Sequence, residues 1–326
     1  MRTMIMIFRS LFFLLFFRIE AHMMHQTKIE SEWREEGIDP FDELIATWNA
    51  KRPGSGKYLI YVSAKVDDWS PWLLYGSWGS DGQSSFSQDS PVAKVYQDAL
   101  EIKEGKKAAG FQIKIECVGE ASLDHVHGLH VYTNSDRKKE MDTPSAHLEP
   151  VHLPVKGLSQ MAIDHPRHAD LCSPTSTTAV VNYLSGQNSI LPADFASSIW
   201  DGGFDIFGNW VFNVAEAAHL LGSAAWVERL SGFDAIYKQL QSGIPVVVSV
   251  RGPLAGSALP YAKGHLLVVI GFDPRTQKVI CMDPAFPKDE ETLVSYEFSD
   301  FLEAWNRRGR IAYMFSGNSD GKAAHW

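Results

Sequence analysis

Two kinds of hydrophobic pattern divide the chain. Over residues 38–133 the apolar positions come in short runs, such as Tyr58-Leu59-Ile60-Tyr61-Val62 and Gly110-Phe111-Gln112-Ile113-Lys114-Ile115. Turn residues separate them, as in Trp78-Gly79-Ser80-Asp81-Gly82. Short aromatic-rich strands with such punctuation predict an all-β domain of the sandwich or jelly-roll kind. Residues 134–157, opening Asn134-Ser135-Asp136-Arg137-Lys138-Lys139, are polar and without apolar period, which predicts a linker.

Over residues 158–316 the period changes. Val211, Val214, Ala218 and Leu221 recur at helical spacing, with Gly222 at the C-cap. Ile236 and Leu240 mark a second helix, opened by Ser231 with Asp234 three residues on and closed by Gly243. Strands are predicted at 244–250, 265–272, 278–282 and 311–315, with a short helix at 299–305. Helices first and an antiparallel sheet afterwards make an α+β domain. Residues 317–326 form a tail.

The first 21 residues carry a different signal. Two arginines lie in Met1 to Arg9, Leu11 to Phe17 is an unbroken apolar run, and Ala21 follows. This is the order of a secretory signal peptide, and the run is shorter than the ~20 residues of a membrane-spanning helix. The expectation is an exported protein (periplasmic, cell-surface or secreted) without an integral membrane span. A start at Met23 or Met24 would instead make it cytoplasmic.

With 326 residues and 45% apolar content, the chain can bury a sizeable core. Its net charge of −9 lacks the basic imprint of a phosphate-binding surface, which argues against nucleic acid as a partner. Three cysteines cannot all pair within one chain, so a free thiol calls for an explanation.

Cys172 offers one. It precedes Ser173-Pro174-Thr175-Ser176 and a helical run ending at Gly186. Ser173 reads as an N-cap and Pro174 as the first helical residue, so Cys172 sits at the positive end of a helix, where a thiolate is favoured. His265 opens the strand Gly264-His265-Leu266-Leu267-Val268, and Asp283 closes the next one. A hairpin centred between Pro274 and Arg275 leaves His265 and Asp283 one residue out of opposition. A bulge or a longer loop would bring them onto one face. Asp283 would then orient His265, and His265 would activate the thiol. Gln160, twelve residues before Cys172, could supply an oxyanion donor together with the Cys172 backbone N–H.

These stretches resemble one family. Leu158-Ser159-Gln160, Cys172-Ser173-Pro174-Thr175-Ser176, Gly208-Asn209-Trp210-Val211-Phe212-Asn213, Gly243-Ile244-Pro245-Val246, Gly264-His265-Leu266-Leu267-Val268 and Asp283-Pro284-Ala285 are similar to the bacterial C39-like peptidases. The resemblance spans roughly residues 150–316. The order Gln, Cys, His, Asp is that of the papain-like cysteine protease clan. It implies a papain-like domain and a cysteine peptidase or amide hydrolase working through a thioester acyl-enzyme. Cys172, His265 and Asp283 would be the triad and Gln160 the oxyanion donor. Asn209, Trp210 and Gly264 would be substrate-binding candidates, with no cofactor and a peptide or protein as substrate. A transglutaminase-like acyltransferase and a non-catalytic binding protein of the same fold are the alternatives. Ten residues between Gln160 and Leu171 exceed the spacing in many relatives. The upstream region around Trp69-Ser70-Pro71-Trp72 and Gly76-Ser77-Trp78 resembles the N-terminal part of longer members. Its tryptophans suggest either core or a glycan or cell-wall contact surface.

Other clusters carry less. His125, His127 and His130 cannot share one strand face and lack an acidic or thiol ligand at the right spacing. His165, His168 and Cys172 lack a fourth ligand. No metal is therefore assigned. Cys117 and Cys281 fall in apolar strands and are expected to be buried.

Overall fold

The computed structural model describes residues 22–135 and 149–317. The expected signal (1–21), much of the expected linker (136–148) and the tail from 318 lie outside the described residues. The first stretch gives β1 (His22–Gln26), β2 (Glu32–Phe41), β3 (Glu43–Ala50), β4 (Gly56–Ala64) and β5 (Leu73–Gly79). It continues with β6 (Gly82–Asp89), β7 (Ala93–Gln97), β8 (Ala99–Ile102), β9 (Ala108–Gly119) and β10 (Val126–Asn134). The second stretch gives β11 (Val151–His152), α1 (Cys172–Ser185), α2 (Pro192–Ile199), α3 (Trp210–Leu221) and β12 (Ala225–Arg229). After α4 (Phe233–Gln241) come β13 (Val246–Val250), β14 (His265–Asp273), β15 (Lys278–Met282), β16 (Leu293–Glu297), α5 (Phe298–Asn306) and β17 (Ile311–Phe315).

Among the described residues the first ten strands form one antiparallel path, β1-β10-β3-β8-β7-β6-β5-β4-β9-β2. β6 pairs with β5 through Gly82–Ser85 and with β7 through Phe86–Asp89, so this one strand links the two halves of the path. The path curls on itself. The Ala46 N–H of β3 donates to Tyr75 Oη of β5, four places along the order, and Tyr75 Oη donates to the Asp98 carbonyl. Trp48, Tyr58, Trp78 and Phe111 are buried, Trp48 against Phe212 and Trp78 against His219 of α3. Trp78 is thus core, whereas Trp69 and Trp72 lie on the surface under Arg34 and Lys114. The strands begin well before residue 38, because β2 is an edge strand and tolerates the charges of Glu32-Trp33-Arg34-Glu35-Glu36. Cys117 shares the inward parity of Ile113 and Ile115 but lies past the end of the core, so it is exposed rather than buried. Cys281 is buried.

The second sheet runs β12-β17-β13-β14-β15-β16, with β11 added beside β14. The last residues of the expected linker therefore belong to this sheet: Val151 pairs with Phe272. Helix α1 is buried from Ser173 to Asn182 and packs on β14, where Ser176 Oγ donates to the Leu266 carbonyl. The helix predicted from Ile236 and Leu240 is α4, but Gly232, not Ser231, is its cap and makes no side-chain bond.

The two regions are bolted together by buried polar contacts. The Arg229 guanidinium grips both oxygens of Glu43, Nε to Oε2 at 2.6 Å and Nη2 to Oε1 at 2.9 Å. Arg52 Nη2 meets Glu216 at 2.8 Å and donates to the Ser198 carbonyl. The Asp201 carboxylate accepts from the Ser85 N–H and hydroxyl. Asn49 caps the strand edge at Ala225, donating to its carbonyl at 2.7 Å.

Candidate active site

Helix α1 starts at Cys172 itself, with Leu171 as an N-cap that makes no side-chain bond. Ser173 does not cap. Its hydroxyl meets Tyr313 Oη of β17 at 2.9 Å, which fixes the first turn to the sheet. Pro174 lies within the turn whose N–H groups have no helical acceptor, so its missing donor costs nothing there. Cys172 remains at the positive helix end, half-buried.

The β14–β15 hairpin aligns the other two groups. Asp273 pairs with Lys278 across a four-residue loop, one pair further out than a tight turn would give. A bulge between Val269 and Gly271 then shifts the register, so that Val268 faces Met282. Continued inward, Leu267 stands opposite Asp283. His265 shares that face by the two-residue period of the strand. The longer loop and the bulge together supply the shift that a simple hairpin lacks.

His265 Nε2 lies 2.8 Å from Asp283 Oδ1, leaving Nδ1 to hydrogen-bond the Cys172 thiol. Asp283 is fully buried, and each of its oxygens has two donors. Oδ1 also accepts from the Ala285 N–H at 3.0 Å. Oδ2 accepts from Tyr261 Oη at 2.7 Å and Tyr296 Oη at 2.6 Å. The Tyr261 ring stacks on the imidazole with centroids 4.0 Å apart and planes 14° from parallel.

These contacts decide the charges. Burial alone would raise the Asp283 carboxyl, but His265 and the two tyrosines hold it below the usual carboxylate range. Burial alone would lower His265, and Asp283 with Cys172 raises it instead, to about 10. Burial opposes ionisation of Cys172 too, yet the hydrogen bond and charge of His265, with backbone contacts at Leu266 and Ser173, bring the thiol below its ordinary value. The shifts run toward a thiolate beside an imidazolium backed by a carboxylate.

The other expected site residues fall elsewhere. Gln160 is buried in a 3-10 turn, and its Nε2 donates to the His168 and Ala169 carbonyls at 3.0 and 2.8 Å. Both amide hydrogens are engaged and its Oε1 has no partner, so no donor is free for an oxyanion. Asn209 is fully buried and occupied as the α3 cap: Oδ1 accepts from the Phe212 N–H and Nδ2 donates to Asp201. It is structural here, not a substrate contact. Trp210 is half-buried, and Gly264, at φ 103°, directly precedes His265. His125, His127 and His130 are split: His127 falls at a bulge in β10, and His130 is buried against Trp226 and Asn49. Tyr261 and Tyr296 have no motif around them that announces their role; only the hairpin and the loop before His265 bring them in.

Residues 152–313 match the Peptidase C39 like family, and residues 20–129 match the Peptidase C39 N-terminal domain. The chain belongs to the C39-like peptidase family. Among solved structures similar to this chain is a crystal structure from Bacillus anthracis titled as that of a putative C39-like peptidase. It is 20% identical, covering 53% of this chain and 100% of that one with a TM-score of 0.42. No curated protein matches the chain. The Cys172, His265 and Asp283 cluster lies wholly within the stretch that matches the peptidase family.

Proposed function

We propose that this C39-like protein is an active cysteine peptidase with a papain-like arrangement, exported under the signal read in its first 21 residues. The observation that carries the reading is the aligned Cys172, His265 and Asp283, with all four sites of the Asp283 carboxylate occupied by donors. Cys172 Sγ attacks the scissile carbonyl carbon, and the Cys172 backbone N–H, unpaired at the helix start, donates to the oxyanion. The imidazolium of His265 gives its Nδ1 proton to the leaving amine as the C–N bond breaks, leaving a thioester. The neutral imidazole then takes a proton from water as that water attacks the thioester. The released acid leaves Cys172 and His265 as they began. Asp283 stays ionised and fixes the imidazole. Gln160 contributes a donor only after releasing one of its two carbonyls.

The test is alkylation by iodoacetamide at mildly acidic pH, read by peptide mass spectrometry. An ordinary thiol, with a pKa near ~8.5, hardly reacts there. Fast labelling confined to Cys172, lost in His265→Ala, is the expected result, with cleavage of a peptide library by wild type and not by Cys172→Ala. Slow labelling equal in both proteins would overturn the reading.

A further inference from the structure

A cleft of about 410 Å³ lies between the β region and the peptidase region. Its walls include Tyr96, Asp98 and Glu101 from the first, and Trp210, Arg229 and Arg308 from the second. Most of these charges are already matched. Arg229 is held by Glu43, and Arg307, also in the cleft wall, pairs with Glu303. Glu101 sits opposite Lys94 in the β7–β8 ladder. Asp98 accepts from the Trp210 N–H at 3.2 Å, and burial raises its carboxyl to about 7.

Arg308 is the exception. It is half-buried, and among the described residues no carboxylate lies within ion-pair distance. Among the described residues its guanidinium makes one hydrogen bond, from Nε to Ser249 Oγ at 3.2 Å, which leaves the two terminal nitrogens free to face the cleft. Burial lowers its pKa, Asp98 opposes this, and Arg229 and Arg251 add to it, so the guanidinium lacks a full counter-charge. Its position is close to the chemistry. A Cβ placed on Gly264 would stand 3.4 Å from Arg308 Nε, and Gly264 is the residue before His265. Trp210, with its ring centroid 5.8 Å from the Arg308 guanidinium carbon, forms a flat apolar wall next to it.

We propose that this cleft is a substrate subsite in which Arg308 recognises a carboxylate carried next to the scissile bond, with Trp210 covering the adjoining apolar part. A partly desolvated guanidinium without a partner fits a planar anion in two-point contact. The preferred substrates are thus acidic peptides, the carboxylate being either an acidic side chain or a free chain terminus. This rests on the peptidase reading.

The test uses paired affinity labels on the full chain, with the rate of Cys172 modification read by intact mass. One pair is trans-epoxysuccinyl-leucylamide as free acid or methyl ester, which represents a terminal carboxylate. The other is a tripeptidyl chloromethyl ketone ending in Glu or Gln, which represents a side chain. The readout is the acid-to-neutral rate ratio, because the His265 imidazolium raises every anionic rate alike. In at least one pair the ratio is expected to fall about tenfold or more in Arg308→Gln, the size of a charge-assisted bond. Arg308→Lys should retain part of it. The pair that responds identifies the source of the carboxylate. Ratios unchanged in Arg308→Gln for both pairs overturn the proposal while leaving the peptidase reading standing. If uncharged iodoacetamide fails to label Cys172 selectively in the wild type, the peptidase reading has failed and this proposal falls with it.

Discussion

Replacing Tyr296 and Tyr261 by phenylalanine tests how the charge state of the site is held. Both hydroxyls donate to the same oxygen, Asp283 Oδ2, while His265 and the Ala285 N–H share Oδ1. Tyr296→Phe leaves the buried ring in place and removes one donor; the double variant strands Oδ2 in the core without any. A hydrogen bond to a charged group contributes about 1.5–3 kcal/mol. That bond favours the charged form, so each lost hydroxyl raises the Asp283 carboxyl. The sign for stability follows. Asp283 sits below its ordinary 3.8 in the folded chain, so its contribution is present above that value and disappears as pH falls through the folded pKa. Raising the folded pKa moves that loss, and acid unfolding with it, to higher pH. The thiol feels the same change, because an imidazolium facing a protonated Asp283 no longer supports a thiolate. The assay is the pH profile of iodoacetamide labelling of Cys172. Its acid limb should shift upward in Tyr296→Phe and further in the double variant, with Tm lowered in step. A double-variant profile that superposes on the wild type would refute the reasoning.

Three more outcomes are expected. Glu43→Ala leaves Arg229 buried without its carboxylate, which costs about 3–5 kcal/mol; a denaturant midpoint within the range of surface substitutions would contradict this. Gly252→Ala places a Cβ 1.7 Å from the Pro260 carbonyl oxygen and pushes the loop that carries Tyr261 off His265. Labelling of Cys172 should slow and Tm should fall with it, and an unaltered rate would show that the stack is dispensable. Gln160→Ala should reduce peptide hydrolysis by less than about tenfold, because its amide holds the 168–169 carbonyls; loss of a dedicated oxyanion donor would cost about 10²–10³.

Much of the second region was legible because its signals are local. Lys278–Met282 and Ile311–Phe315 are short, largely apolar runs between polar residues and are strands with those limits. Gly186 and Gly222 close their helices in the left-handed conformation, as expected of C-caps. The need for a register shift between His265 and Asp283 was readable from spacing, though its division between a longer loop and a bulge was not. What stayed hidden depends on distant partners. Ser173 looks like a cap until β17 brings Tyr313 to its hydroxyl. Asn209 lies in a motif that suggests a substrate contact, while its cap and its bond to Asp201 explain it. The charged β2 carries no apolar alternation to announce it; its edge position decides its fate. Arg308 has no motif at all; its meaning comes from lying against Gly264 once the chain has turned through α5.

The Arg229 clamp has a consequence for the order of synthesis. Its Nε and Nη2 hold Glu43 in β3, while Nη1 donates to the Arg308 and Gly309 carbonyls at 2.9 and 3.0 Å. The segment presenting Arg308 is therefore braced by a residue made some 265 positions earlier. A ribosome releases the β strands first, so the surface carrying Glu43, Asn49, Arg52 and Ser85 exists before α3 and β12 emerge to meet it. The N-terminal half is in this sense a template on which the later half assembles. Residues 149–317 made alone would have to bury Arg229 and Glu216 without the partners that neutralise them. Severing the two halves would thus remove the brace on the segment that carries Arg308 rather than trim an accessory.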